Sequence, residues 1–141
     1  MGCKPAEKPY RMLLVSGSDA AAASICAALK DARFAPIDRC RSASEARARL
    51  GETDFAVAIL NAPLPDASGP ALARALAAEN PCLGVLLLLP AEEYAECAAA
   101  LADEGVLALS KPGSAQMLLQ GLNLLLAMRA RLAALTQKTR R

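Results

Sequence analysis

The chain has 141 residues, of which 55% are hydrophobic and 21% are charged, and its formal net charge is +2. This length corresponds to one domain with its own core, and the composition excludes a disordered chain. No uninterrupted apolar run approaches the roughly 18 residues of a membrane span, so we expect a soluble protein. Every acidic residue lies at or before Glu104, which leaves the last part of the chain purely basic.

The N-terminus and the cysteines indicate the compartment. Residues 1–9 lack the apolar core of a signal sequence, and Ala6 stands where a myristoylation motif has Ser or Thr. The five cysteines are odd in number and form no CxxC pair, and the chain has no histidine. We therefore expect reduced thiols in a cytoplasmic protein, with residues 1–9 as a flexible segment.

Short apolar runs alternate with Ala-rich amphipathic stretches five times along the chain. Strands that are buried on both faces read as continuous hydrophobic runs, so this alternation predicts βα repeats and a parallel sheet. Pro81 and Pro90 leave too short a span for a helix around Leu86, which favours a strand there. The predicted strands are Arg11–Val15, Ala35–Asp38, Phe55–Leu60, Gly84–Leu89 and Val106–Leu109.

Capping residues and helix breakers indicate the bounds of the first four helices. The first is expected to begin at Ser18 or Asp19, either of which can cap it, and to turn Ile25 and Leu29 toward the sheet. A capping box, a proline in a first turn and an acidic first turn mark the next three. These are predicted at about 42–51, 70–79 and 92–102.

The last helix is too long to cover one small sheet. No proline interrupts it from about Ser114 to Thr136, a length of about 34 Å at 1.5 Å per residue. Its apolar stripes are a heptad seam of Leu118, Gly121, Leu125, Met128, Leu132 and Leu135, and a second stripe of Leu119, Leu122 and Leu126. One stripe can dock on the sheet while the other meets a partner, or both form one core face as far as residue 126. We favour a coiled-coil stalk over residues 127–141, with homodimer contacts at Leu125, Met128, Leu132 and Leu135.

Two segments carry a resemblance to a known family: Asn61, Pro65 and Gly69 after the third strand, and Lys111-Pro112 after the fifth. Over residues 10–126 their order and spacing resemble the receiver domain of bacterial response regulators, in which a nucleophilic Asp stands where this chain has Asn61. The resemblance implies a three-layer flavodoxin-like (CheY-like) α/β fold of five parallel strands in the order 2-1-3-4-5, with an extended C-terminal helix and a site at the carboxyl ends of the strands.

Departures from the receiver pattern change the chemistry that the resemblance implies. Ser16 and Gly17 stand where the family has two acidic Mg²⁺ ligands, and a hydroxyl and an aromatic residue are also replaced. An amide is a poor nucleophile, and Mg²⁺ sites usually include one or two carboxylates. We therefore predict a pseudo-receiver without catalytic residues, metal or cofactor. Its degenerate phosphoacceptor pocket consists of Asn61, Lys111, Ser16, Gly17, Pro90 and Ala108.

Three charged side chains near this pocket admit more than one interpretation. Lys111 either donates to the Asn61 carbonyl or to backbone, or it is an exposed lysine without a role. Asp19 is better explained as a helix cap than as a metal ligand, and Asp66 as a loop residue on the surface.

The segment from Lys111 to Leu132 resembles the linker of antitermination regulators, in which a receiver-like domain leads through a coiled-coil helix into an ANTAR RNA-binding domain. This resemblance implies that the chain is a regulatory half whose RNA target is bound by an output domain beyond Arg141. Because the basic C-terminus has no aromatic stacking platform, we expect no RNA binding by this segment itself. The expected partners are a second copy and a signalling protein, and no membrane.

Two other functions remain as alternatives to this non-enzymatic signalling role. One is a receiver that is phosphorylated on an unorthodox acceptor. The other is a flavodoxin-like module for a small ligand, since Ser16-Gly17-Ser18 can offer donors to a phosphate at a helix N-terminus. The loop lacks aromatic residues and any GxGxxG or Walker pattern, which argues against a flavin or a nucleotide.

Overall fold

Strand and helix alternate from one end of the chain to the other. The computed structural model describes residues 10–30, 33–34, 37–111 and 113–139, and of residues 136–139 it describes only the backbone. The predicted N-terminal segment 1–9, Pro112 and the last two arginines lie outside the described residues. The elements are β1 (Met12–Val15), α1 (Asp19–Ala28), β2 (Ile37–Cys40), α2 (Ala43–Glu52), β3 (Val57–Asn61), α3 (Gly69–Glu79), β4 (Gly84–Pro90), α4 (Ala91–Asp103), β5 (Val106–Lys111) and α5 (Ala115–Thr139).

The five strands form one parallel sheet in the order β2-β1-β3-β4-β5. Helices α1 and α5 cover one face of this sheet, and helices α2, α3 and α4 cover the other. The three layers and the strand order confirm the predicted flavodoxin-like α/β fold. In such a sheet the carboxyl ends of all strands lie at the same edge, which is where sites are usually found.

Alternate residues of each central strand belong to two separate cores. On β1, Met12 and Leu14 pack with α1 and α5, whereas Leu13 and Val15 pack with α2, α3 and α4. Successive side chains of a strand point to opposite faces, so a strand covered on both faces must be apolar throughout. This requirement explains why the central strands could be recognised as uninterrupted hydrophobic runs.

The edge strand β2 lies two residues later than predicted. It spans Ile37–Cys40, and Ala35, where the predicted strand begins, lies outside the described residues. The first three residues of β2 are only half-buried, and its Asp38 forms ion pairs with Arg11, over 3.3 Å, and with Arg49. An edge strand with charged side chains lacks the continuous apolar run that marks the central strands.

Serine side chains cap four of the helices. Ser18, Ser42, Ser68 and Ser114 each accept a hydrogen bond from the backbone N–H three residues later, over 3.1–3.3 Å. Each cap satisfies one of the N–H groups that a first turn leaves without a helical partner. Of the two predicted caps for α1, Ser18 is therefore confirmed and Asp19 is wrong.

Helix α5 packs closely on the sheet through its first half. Leu118, Leu122 and Leu125 are buried there, in the core shared with α1. Gly121 allows this close approach, because a Cβ at that position would lie 3.0 Å from Leu107 Cδ2. The helix contains 25 residues and ends at residue 139, beyond the predicted 136.

The predicted heptad seam of α5 does not form one surface. Its member Leu125 is only 6% exposed, so the assignment of this residue as a homodimer contact is wrong, whereas Leu132 is exposed. The exposed apolar residues instead follow a line displaced by one residue in the first half of the helix. We call this line the exposed stripe. It consists of Met117, Leu124, Met128 and Leu135, and the exposed Leu132 lies beside it.

Helix α5 remains in contact with the domain beyond the predicted boundary at residue 126. Arg129 donates to the backbone carbonyl of Phe55 over 3.4 Å, and Ala133 is buried. The folded domain therefore extends along α5 to about residue 133, and the predicted start of a stalk at 127 is too early.

By length and composition, α5 is also able to cross a membrane. Over Ala115–Leu135 it has a hydropathy of 1.3, with 28% of the apolar window buried. No uninterrupted apolar run marks this helix in the sequence, because Gln120, Asn123 and Arg129 divide it. Core helices meet the same criterion, and Leu118, Leu122 and Leu125 in the first half of α5 are buried in the core on the sheet.

The cysteines differ in state. Cys26, Cys40 and Cys97 are free thiols, whereas Cys82 is disulfide-bonded. The expectation of reduced thiols throughout is therefore wrong for Cys82, because nothing in the sequence spacing marks it as paired. Cys3 lies outside the described residues. Burial raises the pKa of the Cys40 thiol, which stays protonated in the core.

Candidate functional site

A polar cluster lies where the carboxyl ends of β1, β3 and β5 meet. Ser16 directly follows β1, Asn61 ends β3 and Lys111 ends β5. Ser16 is fully buried and Asn61 is 6% exposed, and among the described residues these two are the buried polar side chains. Buried polar groups are costly unless they are hydrogen-bonded, so their partners define the site.

Both ends of the Asn61 amide are hydrogen-bonded to neighbouring side chains. Its Nδ2 donates to Ser16 Oγ over 3.1 Å, and its Oδ1 accepts from Lys111 Nζ over 3.0 Å. Ser16 Oγ also donates to the Ser18 carbonyl over 3.1 Å and accepts from the Ser18 N–H over 3.2 Å. Lys111 donates in addition to the carbonyl of Ala62. We call these contacts the Asn61 network. Within the described part of the chain, no buried side-chain nitrogen or oxygen lacks a hydrogen-bond partner.

Lys111 carries the positive charge of this site. Of its predicted interpretations, donation to Asn61 and to backbone is the one found in the structure. Burial lowers the pKa of the Lys111 amine, and the charge of Glu93 acts in the opposite direction. Both hydrogen-bond partners of the amine are neutral oxygens, and among the described residues no carboxylate lies within 4 Å of it. The charge is therefore not paired at contact distance.

The other predicted pocket residues lie at different distances from the Asn61 network. Gly17 is exposed in the loop after Ser16, and Pro90 ends β4 directly beside Lys111 in the β4–β5 ladder. Pro90 precedes α4 without a side-chain cap, since it has no hydroxyl. Ala108 is buried in the core under α2, α3 and α4, and it takes no part in the network.

Arg39 belongs to this edge of the sheet although the sequence analysis did not select it. Its guanidinium donates to the Ser16 carbonyl, over 3.3 Å from Nε and 2.9 Å from Nη2, and to the Asp19 carboxylate over 2.7 Å. Arg41 also lies 2.7 Å from Asp19, and the two arginines lower the pKa of this carboxyl. Two arginines at the end of β2, next to β1 in the predicted strand order, were the signal that could have indicated these contacts.

Asp66 connects the loop after β3 to the start of α2. Its Oδ1 accepts from the Ala43 N–H over 2.8 Å and its Oδ2 from the Ser44 N–H over 3.1 Å. These backbone hydrogen bonds lower the pKa of the Asp66 carboxyl. Although Asp66 is exposed, as predicted, it is a helix cap supplied by a different element.

Gly69 brings the start of α3 against the end of β3. A Cβ at residue 69 would lie 2.7 Å from Ala62 Cβ and 3.2 Å from Leu87 Cδ1, so a larger residue requires the backbone to move. Ala62 in turn follows Asn61 and accepts from Lys111. The glycine therefore maintains the packing directly behind the Asn61 network.

Comparisons with known proteins find similarity to solved structures. No protein-family model matches the chain, and no curated protein is similar to it in sequence. The signal receiver domain of an HD domain-containing protein from Pseudomonas fluorescens is 22% identical, with a TM-score of 0.76 over 93% of this chain and 96% of that one. A response regulator receiver domain protein from Clostridium thermocellum is 21% identical, with a TM-score of 0.78 over 87% and 98%. An adenylate cyclase from Rhodopirellula baltica is 18% identical, with a TM-score of 0.81 over 94% and 98%.

These neighbours define the class of the fold. The chain has the CheY-like fold that is seen in response-regulator receiver domains. At these identities the similarity concerns the fold alone, and the same holds for the adenylate cyclase. The chemistry of this chain must therefore be argued from its own residues.

Proposed function

We propose that this chain is a non-enzymatic signal-transduction domain of the receiver fold that is not phosphorylated at the end of β3. In this proposal it acts by protein contact and by homodimerisation. The single observation that supports the proposal best is the Asn61 network. The residue at the end of β3 is a buried amide, and both of its polar ends are already hydrogen-bonded within the protein.

The chemistry of these residues supports the loss of phosphoryl transfer. Phosphorylation of a receiver requires an anionic oxygen nucleophile and a divalent cation that neutralises the crowded oxygens. Asn61 supplies a neutral amide oxygen, which already accepts from the Lys111 amine. An amide in this position has neither the charge nor the free lone pairs of a carboxylate nucleophile.

The donor set at this edge of the sheet does not fit Mg²⁺. This cation prefers a shell of hard oxygens that includes one or two carboxylates. Ser16 and Asn61 are neutral, and the nearest charges are the cations of Lys111 and Arg39. Among the described residues no group of three or more Cys, Asp or Glu side chains is placed to hold a metal ion.

The contacts of Asp19 and Asp66 give no support to an unorthodox acceptor. Asp19 is paired with Arg39 and Arg41, and Asp66 accepts from two backbone N–H groups of α2. Both carboxylates are therefore already engaged in contacts that hold neighbouring elements together. We therefore favour an unphosphorylated domain over this alternative.

Incubation with acetyl phosphate and Mg²⁺, followed by intact mass spectrometry, tests this proposal. We expect no gain in mass, while a phosphorylatable receiver domain in the same reaction gains one phosphoryl group. The Asn61→Asp variant restores the carboxylate but none of the missing metal ligands, so we expect it to remain unmodified too. A phosphoryl group on the wild-type chain would overturn the proposal, and peptide mapping would then locate the acceptor.

The exposed stripe supports homodimerisation through α5. In a heptad register, Met128 and Leu135 occupy one apolar position, and Met117 and Leu124 occupy the other. The stripe lies on α5, the basic, leucine-rich helix whose sequence resembles an antiterminator linker. We propose that dimerisation through the stripe controls a C-terminal output domain of the RNA-binding antiterminator type.

A further inference from the structure

A cleft of about 520 Å³ opens between α1 and α5, next to the Asn61 network. Small side chains of α1 line it on one side, and Leu88 of β4 and Leu109 of β5 line it from the sheet. The volume lies within the roughly 300–1,000 Å³ of small-molecule sites in proteins. Apolar residues that line it are Ala21, Ile25, Ala28, Leu88, Leu109 and Met117.

The polar side chains that line the cleft are Ser24, Asn61, Lys111 and Ser114. Its walls along α1 and α5 are otherwise largely apolar. Lys111 uses two of its three N–H donors on Asn61 and on the Ala62 carbonyl, which leaves one donor for a ligand. A cation without a carboxylate at contact distance, beside an apolar surface, is complementary to an anion with an apolar body.

We propose that this cleft binds a small monocarboxylate with an aliphatic body, whose carboxylate contacts Lys111. The aliphatic body replaces water on the walls formed by Ile25, Leu88 and Leu109. The carboxylate matches the single charge of one lysine, whereas a phosphate dianion would need further cationic donors. The inference rests on the proposed function in one respect, because a phosphoryl group at residue 61 would occupy the same lysine.

Titration calorimetry of the full chain with decanoate, below its micellar concentration, tests this inference. We expect saturable binding of one decanoate per chain and binding of 1-decanol that is at least about tenfold weaker, since the alcohol lacks the charge that pairs with Lys111. Lys111→Gln is expected to lower the affinity for decanoate by about tenfold and to leave the affinity for 1-decanol unchanged.

Two tryptophan variants of α1 separate the cleft from the rest of the surface. Ala27 is exposed and lines the cleft, so Ala27→Trp should fill it and abolish the binding of decanoate. Ala23 is exposed on the same helix but does not line the cleft, so Ala23→Trp should bind decanoate as the wild type does. Circular dichroism would verify that both variants are folded.

Three results would overturn the inference: no saturable binding of decanoate, equal affinity for decanoate and 1-decanol, or unchanged binding by Ala27→Trp. If Lys111→Gln fails to fold, the comparison of acid with alcohol and the two tryptophan variants still decide the question. Failure here leaves the absence of phosphorylation untouched, because that is read from intact mass and not from calorimetry.

Discussion

The side-chain nitrogen of Asn61 lies 3.1 Å from the hydroxyl oxygen of Ser16, and the two residues are buried together at the ends of neighbouring strands. The hydroxyl accepts from Asn61 and from the Ser18 N–H, so it satisfies two donors of different elements at once. This contact joins β3 to the loop that leads into α1, at the edge of the sheet where receiver-fold sites lie.

Ser16→Ala is expected to destabilise the domain by about 1–3 kcal/mol, the usual cost of leaving a buried donor unsatisfied. The methyl group fills the space, but the Asn61 amide loses its acceptor. Urea unfolding followed by circular dichroism measures this change. The control is Ser44→Ala at an exposed position of α2, for which we expect a change within about 0.5 kcal/mol. Equal stabilities of the two variants would contradict the role assigned to the network.

Asp66→Asn is expected to reduce stability at neutral pH and to lose this effect in acid. The folded-state pKa of Asp66 is lowered from its usual 3.8, so its carboxylate stabilises the fold above that value. The contribution disappears as the pH falls through the folded-state pKa, whereas an amide does not titrate. The free energies of unfolding of the wild type and Asp66→Asn, measured in urea between about pH 3 and 7, should therefore converge at the acid end.

Asp54→Asn serves as the matched control for this experiment, because Asp54 is exposed and caps no helix. We expect no comparable convergence for this pair. If the difference in stability between the wild type and Asp66→Asn stays constant down to pH 3, the two backbone hydrogen bonds of the Asp66 carboxylate do not contribute to stability.

Gly69→Ala is expected to destabilise the domain by about 1–3 kcal/mol, as overpacking usually does. Its Cβ would lie 2.7 Å from Ala62 Cβ, so α3 or the end of β3 has to shift. Gly51→Ala in α2 is the control, because no atom lies within 4 Å of its Cβ and alanine favours a helix by up to about 1 kcal/mol. The midpoint temperature of thermal unfolding should fall for Gly69→Ala and rise for Gly51→Ala.

Leu124→Glu is expected to convert a homodimer into a monomer. Leu124 is 52% exposed in the centre of the exposed stripe, so the charge opposes association without entering the core. Sedimentation equilibrium measures the change, with Asn123→Glu as the control at an exposed position of the same helix outside the stripe. Leu125→Glu should instead unfold the domain, because that residue is buried. A wild-type chain that is monomeric at all concentrations would refute dimerisation through α5.

The central sheet could be predicted because its strands are covered on both faces. Each of β1, β3 and β4 is then an apolar run with breakers on both sides, and helices between them require parallel strands. The edge strand β2 was misplaced for the converse reason, since Asp38 and Arg39 interrupt its apolar pattern.

The contacts of the site could be predicted only where they follow from position along one strand. Asn61, Ser16 and Lys111 each end or follow a strand, so a parallel sheet brings them together. Arg39 and Asp66 act on elements 23 residues away, and no spacing in the sequence pairs a side chain with its distant partner.

The orientation of α5 was the least predictable feature. Leucines lie on nearly all sides of the first half of the helix, so several different apolar stripes could pack on the sheet. The structure selects Leu118, Leu122 and Leu125 for the core. The heptad positions predicted from spacing were therefore shifted by one residue, and only the end of the seam was assigned to the correct side.

Helix α5 runs without interruption from the edge of the sheet that holds Lys111 to residue 139. Its first turn begins four residues after Lys111, and the same helix still runs at residue 139. A helix of this kind bends little, so a small rotation of its first turn over the sheet becomes a larger sweep at the far tip. In the dimer that we propose, a ligand or partner that tilts α5 would therefore change the separation of the two helix ends, with no rearrangement of the sheet itself.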